Sequence, residues 1–385
     1  MATKLSRRRL LQLASAAVTA MLTGCLSESG DEVPTVDPGA VATPVLTAVA
    51  GYDDSRKWEG RTLVVATPGD EGSNYLESQV NAIFEPFQRL TGAEVRTVRM
   101  ELDLLHEQVN TADVEWSVCD VPAEEVLPLA NSAIITEVDY GVVDPTELFE
   151  PFVMQHGIGA NLYATVLAFH QFEESGAPPP GSWADFWDLE AYPGVRGFQE
   201  SPIGTLEFAL LAGGVAPDAL YPLDVDLAFR QLNAMSEQIV LWWRQGAQPT
   251  QMIAAGDLVM VAAWHDRIQE LAASGAPVGL TWNNSQINGD SWVVPNGTPE
   301  REMAMDFLNF ATRPEVAAAF SRLFPFGPTN RTAYDLLDVP DGVTLPGAPE
   351  IIDRQFVVDL DWWFRNREPV EARFQEWLSE QPKDS

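Results

Sequence analysis

The sequence has few positive charges. It contains 23 lysines and arginines against 56 aspartates and glutamates, which gives a formal net charge of −33. Lysine occurs only at Lys4, Lys57 and Lys383. Such a chain repels phosphates and anionic lipid headgroups, so nucleic acid is excluded as a partner. The excess of acid either attracts cationic solutes or gives a solvated surface suited to a saline or acidic habitat, and composition leaves both interpretations open.

Cysteine and histidine are also scarce. There are two cysteines, Cys25 and Cys119, and the four histidines lie far apart without a His-x-x-x-His spacing. We therefore expect no metal site and no cofactor. The sequence lacks a Gly-x-Ser-x-Gly elbow, a P-loop and the kinase motifs, which argues against an enzyme. A glycosidase-type carboxylate pair needs only spatial proximity, so an extracytoplasmic hydrolase of carbohydrate or ester stays an alternative.

Long hydrophobic runs are absent after the first 25 residues. The chain starts with a basic stretch at 6–9, an apolar run at 13–21 and Leu-Thr-Gly-Cys at 22–25, the order of a secretory signal peptide. The apolar run is too short to span a bilayer stably. The paired arginines resemble a twin-arginine export signal, and the last four residues resemble the lipobox of bacterial lipoproteins. We predict a signal peptide over 1–24, lipidation of Cys25 and an extracytoplasmic protein anchored to the cell membrane, periplasmic or on the cell surface.

A tether and a folded α/β body are expected after the leader. Residues 25–60 are rich in Asp, Glu, Pro, Gly and Ala without a sustained period, which is typical of a spacer. A β-prone run at 62–66, a Gly-rich break and an amphipathic helix ending before Gly92 follow. The same order of strand, break and helix recurs less regularly and predicts a strand over 112–119, a turn at 120–122 and another helix. This alternation indicates an α/β fold.

Short segments along the chain carry a family resemblance. They include FEPF at 84–87, YATVLAF at 163–169, SWADFWD at 182–188, YPGVR at 192–196, TLEFAL at 205–210, GDLVM at 256–260, DSWVVP at 290–295 and PFGPTN at 325–330. Together they resemble the extracellular solute-binding proteins of ABC importers, in the branch that includes spermidine/putrescine-binding proteins. The resemblance runs in order from about residue 62 to residue 378.

The resemblance implies a two-lobed α/β fold of the type II periplasmic-binding-protein class, with a hinge between the lobes. Residues 61–165 with 290–335 are expected to form lobe 1, and 166–289 with 336–385 lobe 2. The ligand is expected between the lobes, where strands end and helices begin. The implied function is not enzymatic. A monomer captures a small-molecule solute, closes around it and delivers it to an ABC permease in the membrane.

Candidate ligand-binding residues follow from the same resemblance. Trp264 matches a tryptophan that sandwiches an alkyl amine in polyamine-binding members, and Asp290 matches the carboxylate that neutralises an ammonium group. Asp70 and Tyr75 belong to the first binding loop. The remaining candidates are Asp120 after a strand, Thr205 at a helix start, Gln248 as a polar cleft contact, and Phe326.

The sequence departs from the polyamine pattern at three positions. Ser201 and Gly204 stand where polyamine binders carry two acids, and Asn288 replaces a tryptophan before the key aspartate. Glu200 takes the place of these two acids only if the turn at 200–204 bends its side chain toward the ligand. One ammonium contact is therefore retained and the second is lost. A monoamine or zwitterion fits better than spermidine, while a neutral or anionic solute and a sensor without transport stay as alternatives.

Overall fold

The computed structural model describes residues 46–69, 71–171, 178–338 and 342–381. The predicted leader, Cys25, most of the predicted tether and Asp70 lie outside these ranges. Within them, no helix is long and apolar enough to cross a membrane.

The strands and helices alternate through most of the described chain. The strands are β1 (Thr62–Thr67), β2 (Glu94–Arg99), β3 (Val118–Pro122), β4 (Val153–Met154), β5 (Gly157–His170), β6 (Arg196–Gln199), β7 (Ile239–Trp243), β8 (Met260–Trp264), β9 (Val278–Val293) and β10 (Gln355–Val357). The helices are α1 (Asn74–Gln79), α2 (Glu85–Thr91), α3 (Leu102–Thr111), α4 (Ala123–Asn131), α5 (Trp183–Trp187), α6 (Pro202–Ala212), α7 (Val225–Met235), α8 (Ala247–Ala255), α9 (His265–Ala273), α10 (Arg301–Ala311), α11 (Pro314–Leu323) and α12 (Leu360–Glu380).

The described strands form one mixed sheet. Its order is β2-β1-β3-β9-β5-β8-β6-β7, with β10 beside β9 and β4 beside β5. β1 pairs in parallel with β2 and β3, and β6 pairs in parallel with β7 and β8, so each end is built like an open α/β sheet. The long strands β5 and β9 pair antiparallel in the middle and join the two ends.

Each end of the sheet has its own hydrophobic core. The core beside β1 collects aromatic residues of α2 and α10, among them Phe87, Phe307 and Phe310. The core beside β6 contains Trp183 and Phe208, whose ring centroids lie 3.8 Å apart, together with apolar residues of α12. The long strands β5 and β9 connect the two cores. The residue boundaries of the two lobes stay a prediction.

Two elements of the chain differ from the sequence-based expectation. The turn predicted at 120–122 is wrong, because β3 continues to Pro122 and pairs Asp120 with Trp292 of β9. The strand expected at 163–169 is part of the longer β5, and the one expected at 290–295 belongs to the longer β9 only as far as Val293. The first half of β9 is rich in polar residues and lacks the apolar pattern of a strand, so the sequence did not indicate one there. Its pairing with β5 and β10 holds it in the sheet.

The folded part begins before residue 61. Val49 and Tyr52 are buried, and the Tyr52 hydroxyl donates to the carbonyl of Asp306 at 2.8 Å. The carboxylate of Asp306 accepts from Trp58 Nε1 at 2.6 Å and pairs with Lys57 at 2.9 Å. This part of the expected tether therefore packs on α10. Its aromatic residues provide apolar surface that the acidic and Pro-rich composition concealed.

Candidate ligand-binding site

A cavity of about 400 Å³ lies where the two ends of the sheet meet. Its lining comes from the ends of β1 and β8, the middle strands β5 and β9, the first turns of α1 and α9, and the loop after α11. The lining residues are Pro68, Gly69, Ser73, Tyr75, Tyr163, Trp264, Asp266, Arg267, Asp290, Phe324 and Phe326. Ligands of open α/β sheets bind at such strand ends.

Aromatic rings form one wall of this cavity. Tyr163 stacks on Phe326 with ring centroids 5.5 Å apart and meets Trp264 edge-on at 6.3 Å. Phe324 packs edge-on against Phe326 at 4.7 Å and lies 5.3 Å from Tyr75. The faces of such rings attract cations through their negative π density.

Two neighbouring residues fix the position of the Trp264 indole. The indole of Trp243 packs edge-on against it at 5.2 Å. Gly246, at the start of α8, lies so close that a Cβ there would be 2.7 Å from Cε3 of Trp264. The absence of a side chain at residue 246 therefore lets the indole lie against the backbone.

Carboxylates form another part of the site. Asp290 lines the cavity and is 9% exposed, while Asp120 of the adjacent β3 is fully buried. The Tyr75 hydroxyl donates to Oδ2 of Asp120 at 2.8 Å and lies 3.4 Å from Oδ2 of Asp290. Burial raises the pKa of Asp120 to about 7. Burial, followed by repulsion from Asp120, raises the pKa of Asp290 well above its usual value.

Asp266 and Arg267 were not singled out from the sequence. Asp266 is 7% exposed, and its buried Oδ1 has no hydrogen-bond partner within the described ranges. The half-exposed guanidinium of Arg267 approaches the other carboxylate oxygen at 3.7 Å. A signal was available, since both residues directly follow Trp264-His265 at a strand-to-helix junction. The pair offers an acceptor and a charged donor to a ligand.

The structure brings together most of the predicted ligand-binding residues. Tyr75, Trp264, Asp290 and Phe326 line the cavity, and Asp120 contacts it through Tyr75. Their role in binding stays a prediction.

Two predicted contacts lie elsewhere. The Thr205 hydroxyl donates to the carbonyl of Gln199 at 3.5 Å, and the Gln248 side chain accepts from the backbone N–H of Arg244 at 3.2 Å. Neither residue is part of the cavity lining, and each hydrogen-bonds a backbone group that precedes its own helix. Glu200 does not replace the lost acids, since its carboxylate forms a two-pronged ion pair with Arg244.

An α/β sheet with an aromatic and acidic cavity between its two ends is typical of proteins that bind a small molecule. The chain matches the family model of bacterial extracellular solute-binding proteins over residues 82–347. Over 312 residues it is 33% identical to the gamma-aminobutyric acid-binding protein of Pseudomonas aeruginosa, covering 78% of this chain and 87% of that protein. The chain therefore belongs to the bacterial extracellular solute-binding protein family.

Two further comparisons agree with this family. The spermidine/putrescine-binding periplasmic protein of Escherichia coli is 23% identical over 184 residues, which cover 46% of this chain and 52% of that protein. The crystal structure of an ABC transporter substrate-binding protein from Bradyrhizobium japonicum superposes with a TM-score of 0.77 at 30% identity, over 83% of this chain and 99% of that chain. The predicted family, its two-lobed α/β class and its place in ABC transport are confirmed. The relatives are solute-binding proteins.

Proposed function

We propose that this protein captures a small solute that carries both a protonated amine and a carboxylate, of the gamma-aminobutyric acid (GABA) type, for import by an ABC permease. The observation that carries the proposal is the distribution of charge in the cavity. Asp290 lines it from β9, and Asp266 and Arg267 line it from α9. The site thus offers separate partners for a positive and a negative group.

The ammonium group binds between Asp290 and the aromatic wall. A cation over an indole or phenol ring gains roughly 0.5–2 kcal/mol. Asp290 supplies the opposite charge that a partly desolvated ammonium group needs. Trp264 and Tyr163 provide the ring faces, and their edge-on contact at 6.3 Å fixes their mutual orientation.

The carboxylate of the solute binds to Arg267. A planar guanidinium matches the two oxygens of a carboxylate, so it suits a zwitterion better than a diamine. The loss of acids at Ser201 and Gly204 agrees with a ligand that has a single amine. The name of the Pseudomonas aeruginosa relative supports GABA as the first compound to test.

We further propose that the protein works as a lipid-anchored monomer outside the cytoplasmic membrane. The twin-arginine pattern at 7–8 and the lipobox ending at Cys25 support this location. Lipid at Cys25 would keep the binding protein close to its permease.

A ligand panel tests the proposed function. Purified protein is screened by thermal shift and calorimetry with GABA, with butyrate and butylamine, which each lack one charged group, and with putrescine and glucose. GABA at 100 times its Kd should stabilise the fold by about 2.7 kcal/mol, whereas butyrate and glucose should have no effect. Asp290→Asn should weaken GABA binding by about 2–5 kcal/mol because the ammonium charge is left under-compensated.

The matched control is Glu107→Gln, which removes an exposed acid from α3, outside the cavity lining. It should bind GABA like the wild type. Binding of butyrate or glucose as tight as that of GABA would contradict the amine proposal. Turnover of chromogenic glycosides or esters would instead support the hydrolase alternative.

A further inference from the structure

One tyrosine hydroxyl lies between two buried carboxylates behind the cavity wall. Tyr75 Oη is 2.8 Å from Oδ2 of Asp120 and 3.4 Å from Oδ2 of Asp290. Two side-chain amides donate to the same oxygen, Nε2 of Gln79 at 3.2 Å and Nδ2 of Asn161 at 3.0 Å. The cluster is assembled from α1, β3, β5 and β9.

The Tyr75 hydroxyl can donate a hydrogen bond to only one of the two carboxylates. A hydroxyl has one hydrogen to donate and two lone pairs to accept. The amides of Gln79 and Asn161 occupy both lone pairs, and the hydrogen goes to the nearer carboxylate, Asp120. Asp120 Oδ2 receives a second hydrogen bond from Gln79 Nε2 at 2.8 Å. Asp290 has the longer contact with the Tyr75 hydroxyl and a hydrogen bond from the Asn161 side chain, so its negative charge is less well compensated than that of Asp120.

The surroundings of Asp290 are acidic. The titratable and charged groups that face it are Asp120 of β3, Glu124 of α4, Tyr75 of α1, Tyr163 of β5, and Asp266 and Arg267 of α9. Arg267 is the one positive group among them, and it already approaches Asp266 at 3.7 Å. Oδ1 of Asp120 is buried and has no hydrogen-bond partner in the part of the chain that the structure describes.

We propose that Asp120 is a positioning residue that makes Asp290 exchange a proton for the ammonium group of the ligand. In the ligand-free protein the two carboxylates share at least one proton, because two adjacent buried carboxylates do not both ionise readily. The proton resides on Asp290, since Tyr75 and Gln79 stabilise the ionised form of Asp120. When the ammonium group binds, this proton passes to solvent and the cation takes its place, so the charge of the site is unchanged. Burial raises the pKa of both carboxyls, in agreement with this arrangement.

Because of this exchange, the free energy of binding an ammonium group depends on pH. At pH values below that at which the Asp120–Asp290 pair loses its proton, each bound ammonium group must displace one proton. The association constant should therefore rise about tenfold per pH unit in this range. Above it, Asp290 is already ionised and the association constant should level off. A neutral solute displaces no proton, so its association constant should not follow this dependence on pH. The inference rests on the proposed function for the identity of the ligand.

The first experiment needs no ligand. A carboxyl whose pKa is raised by folding binds more protons in the folded than in the unfolded state, so stability falls as pH rises between its unfolded and folded pKa values. Denaturant unfolding of the full chain is measured from about pH 4 to pH 8, a window that starts near the pKa of an unfolded aspartate. Asp290→Asn should remove much of this decline, whereas Glu107→Gln should retain it. An unchanged decline in Asp290→Asn would overturn the inference.

The second experiment measures protons released on binding. Calorimetry with GABA at about pH 6, in buffers of different ionisation enthalpy, should give close to one proton released per bound ligand. Asp120→Asn leaves an amide oxygen for Tyr75 and Gln79 but removes the charge. It should therefore move the pH profile of binding to lower pH and reduce proton release. A purely structural role would weaken binding equally at every pH.

The two proposals fail in different ways. If no compound of the panel binds, the proposed function is wrong, and the unfolding experiment still decides where the proton resides. If GABA binds without proton release and with a pH profile that Asp120→Asn does not move, the proton exchange is wrong and the proposed function stands.

Discussion

Trp264 illustrates how much a candidate binding residue depends on the side chains and backbone packed around it. Its indole lies between the edge-on ring of Trp243 and the bare backbone of Gly246. Tyr163 fixes it from the cavity side. A small change beside it should therefore act as strongly as a change in the cavity lining itself.

Gly246→Ala should weaken amine binding by about tenfold without removing any ligand contact. The new methyl group would lie 2.7 Å from the indole, so the ring must move away from the position in which it faces a cation. A loss of cation–π contact amounts to roughly 0.5–2 kcal/mol. Calorimetry and tryptophan fluorescence would measure it. Gly181→Ala is the control, since a Cβ there meets nothing closer than 4.0 Å. Equal affinities of the two variants would contradict this account of Trp264.

At the scale of elements, a buried histidine joins three segments around the cavity. Nδ1 of His265 accepts from the backbone N–H of Ala164 at 3.2 Å, so Nε2 carries the hydrogen and donates to the carbonyl of Pro325 at 2.8 Å. Burial lowers the pKa of His265, which favours this neutral form. The first residue of α9 is thus tied to β5 and to the loop that carries Phe326. The aromatic wall is built on these shared backbone contacts.

A buried glutamate joins α6 to the C-terminal helix α12. Glu207 is fully buried, and its carboxylate accepts from Trp363 Nε1 at 2.7 Å, the Tyr221 hydroxyl at 2.5 Å and the Gly204 N–H at 2.8 Å. Gly204 lies in the first turn of α6, where backbone N–H groups have no partner within the helix, and its own backbone is non-helical at φ 84°. The packing of α12 on the core beside β6 therefore includes a polar contact that sequence periodicity does not indicate.

Glu207→Ala should lower the free energy of unfolding by about 3 kcal/mol, because it leaves three buried donors without an acceptor. Chemical denaturation would measure the change. Glu376→Ala, which removes an exposed acid from α12, should have little effect. Similar losses in the two variants would show that the contact between α6 and α12 contributes no more than an exposed helix position.

At the scale of the whole molecule, charge and location are connected. A net charge of −33 disfavours contact with anionic lipid, so charge attraction would not hold the protein at a membrane surface. Cys25 is the predicted attachment point. The other cysteine, Cys119, is buried in β3.

Cys25→Ala should leave the protein exported but move it from the membrane fraction to the soluble extracytoplasmic fraction. Cell fractionation and metabolic labelling with a fatty acid would measure the change. Cys119→Ala is the matched control and should stay in the membrane fraction. Retention of the Cys25→Ala protein in the membrane fraction would contradict the lipoprotein prediction.

Local patterns in the sequence indicated the class of protein and part of the candidate site. Short motifs and the alternation of strands with helices are local properties, so they indicated the α/β fold and the family without any knowledge of tertiary contacts. Trp264, Asp290 and Tyr75 became candidates because the motifs around them resemble those of polyamine-binding proteins. The loss of the polyamine acids at residues 201 and 204 was readable for the same reason.

Which of these side chains lie together depends on the tertiary structure. The register of β3, β5 and β9 places Asp120, Asn161 and Asp290 side by side, and a shift of one residue would turn each side chain to the other face of the sheet. The same register makes Asp120 part of a strand instead of a turn. The direction in which α9 leaves β8 brings Asp266 into the cavity. Strand register and helix direction depend on partners distant in the chain, and no local pattern encodes them.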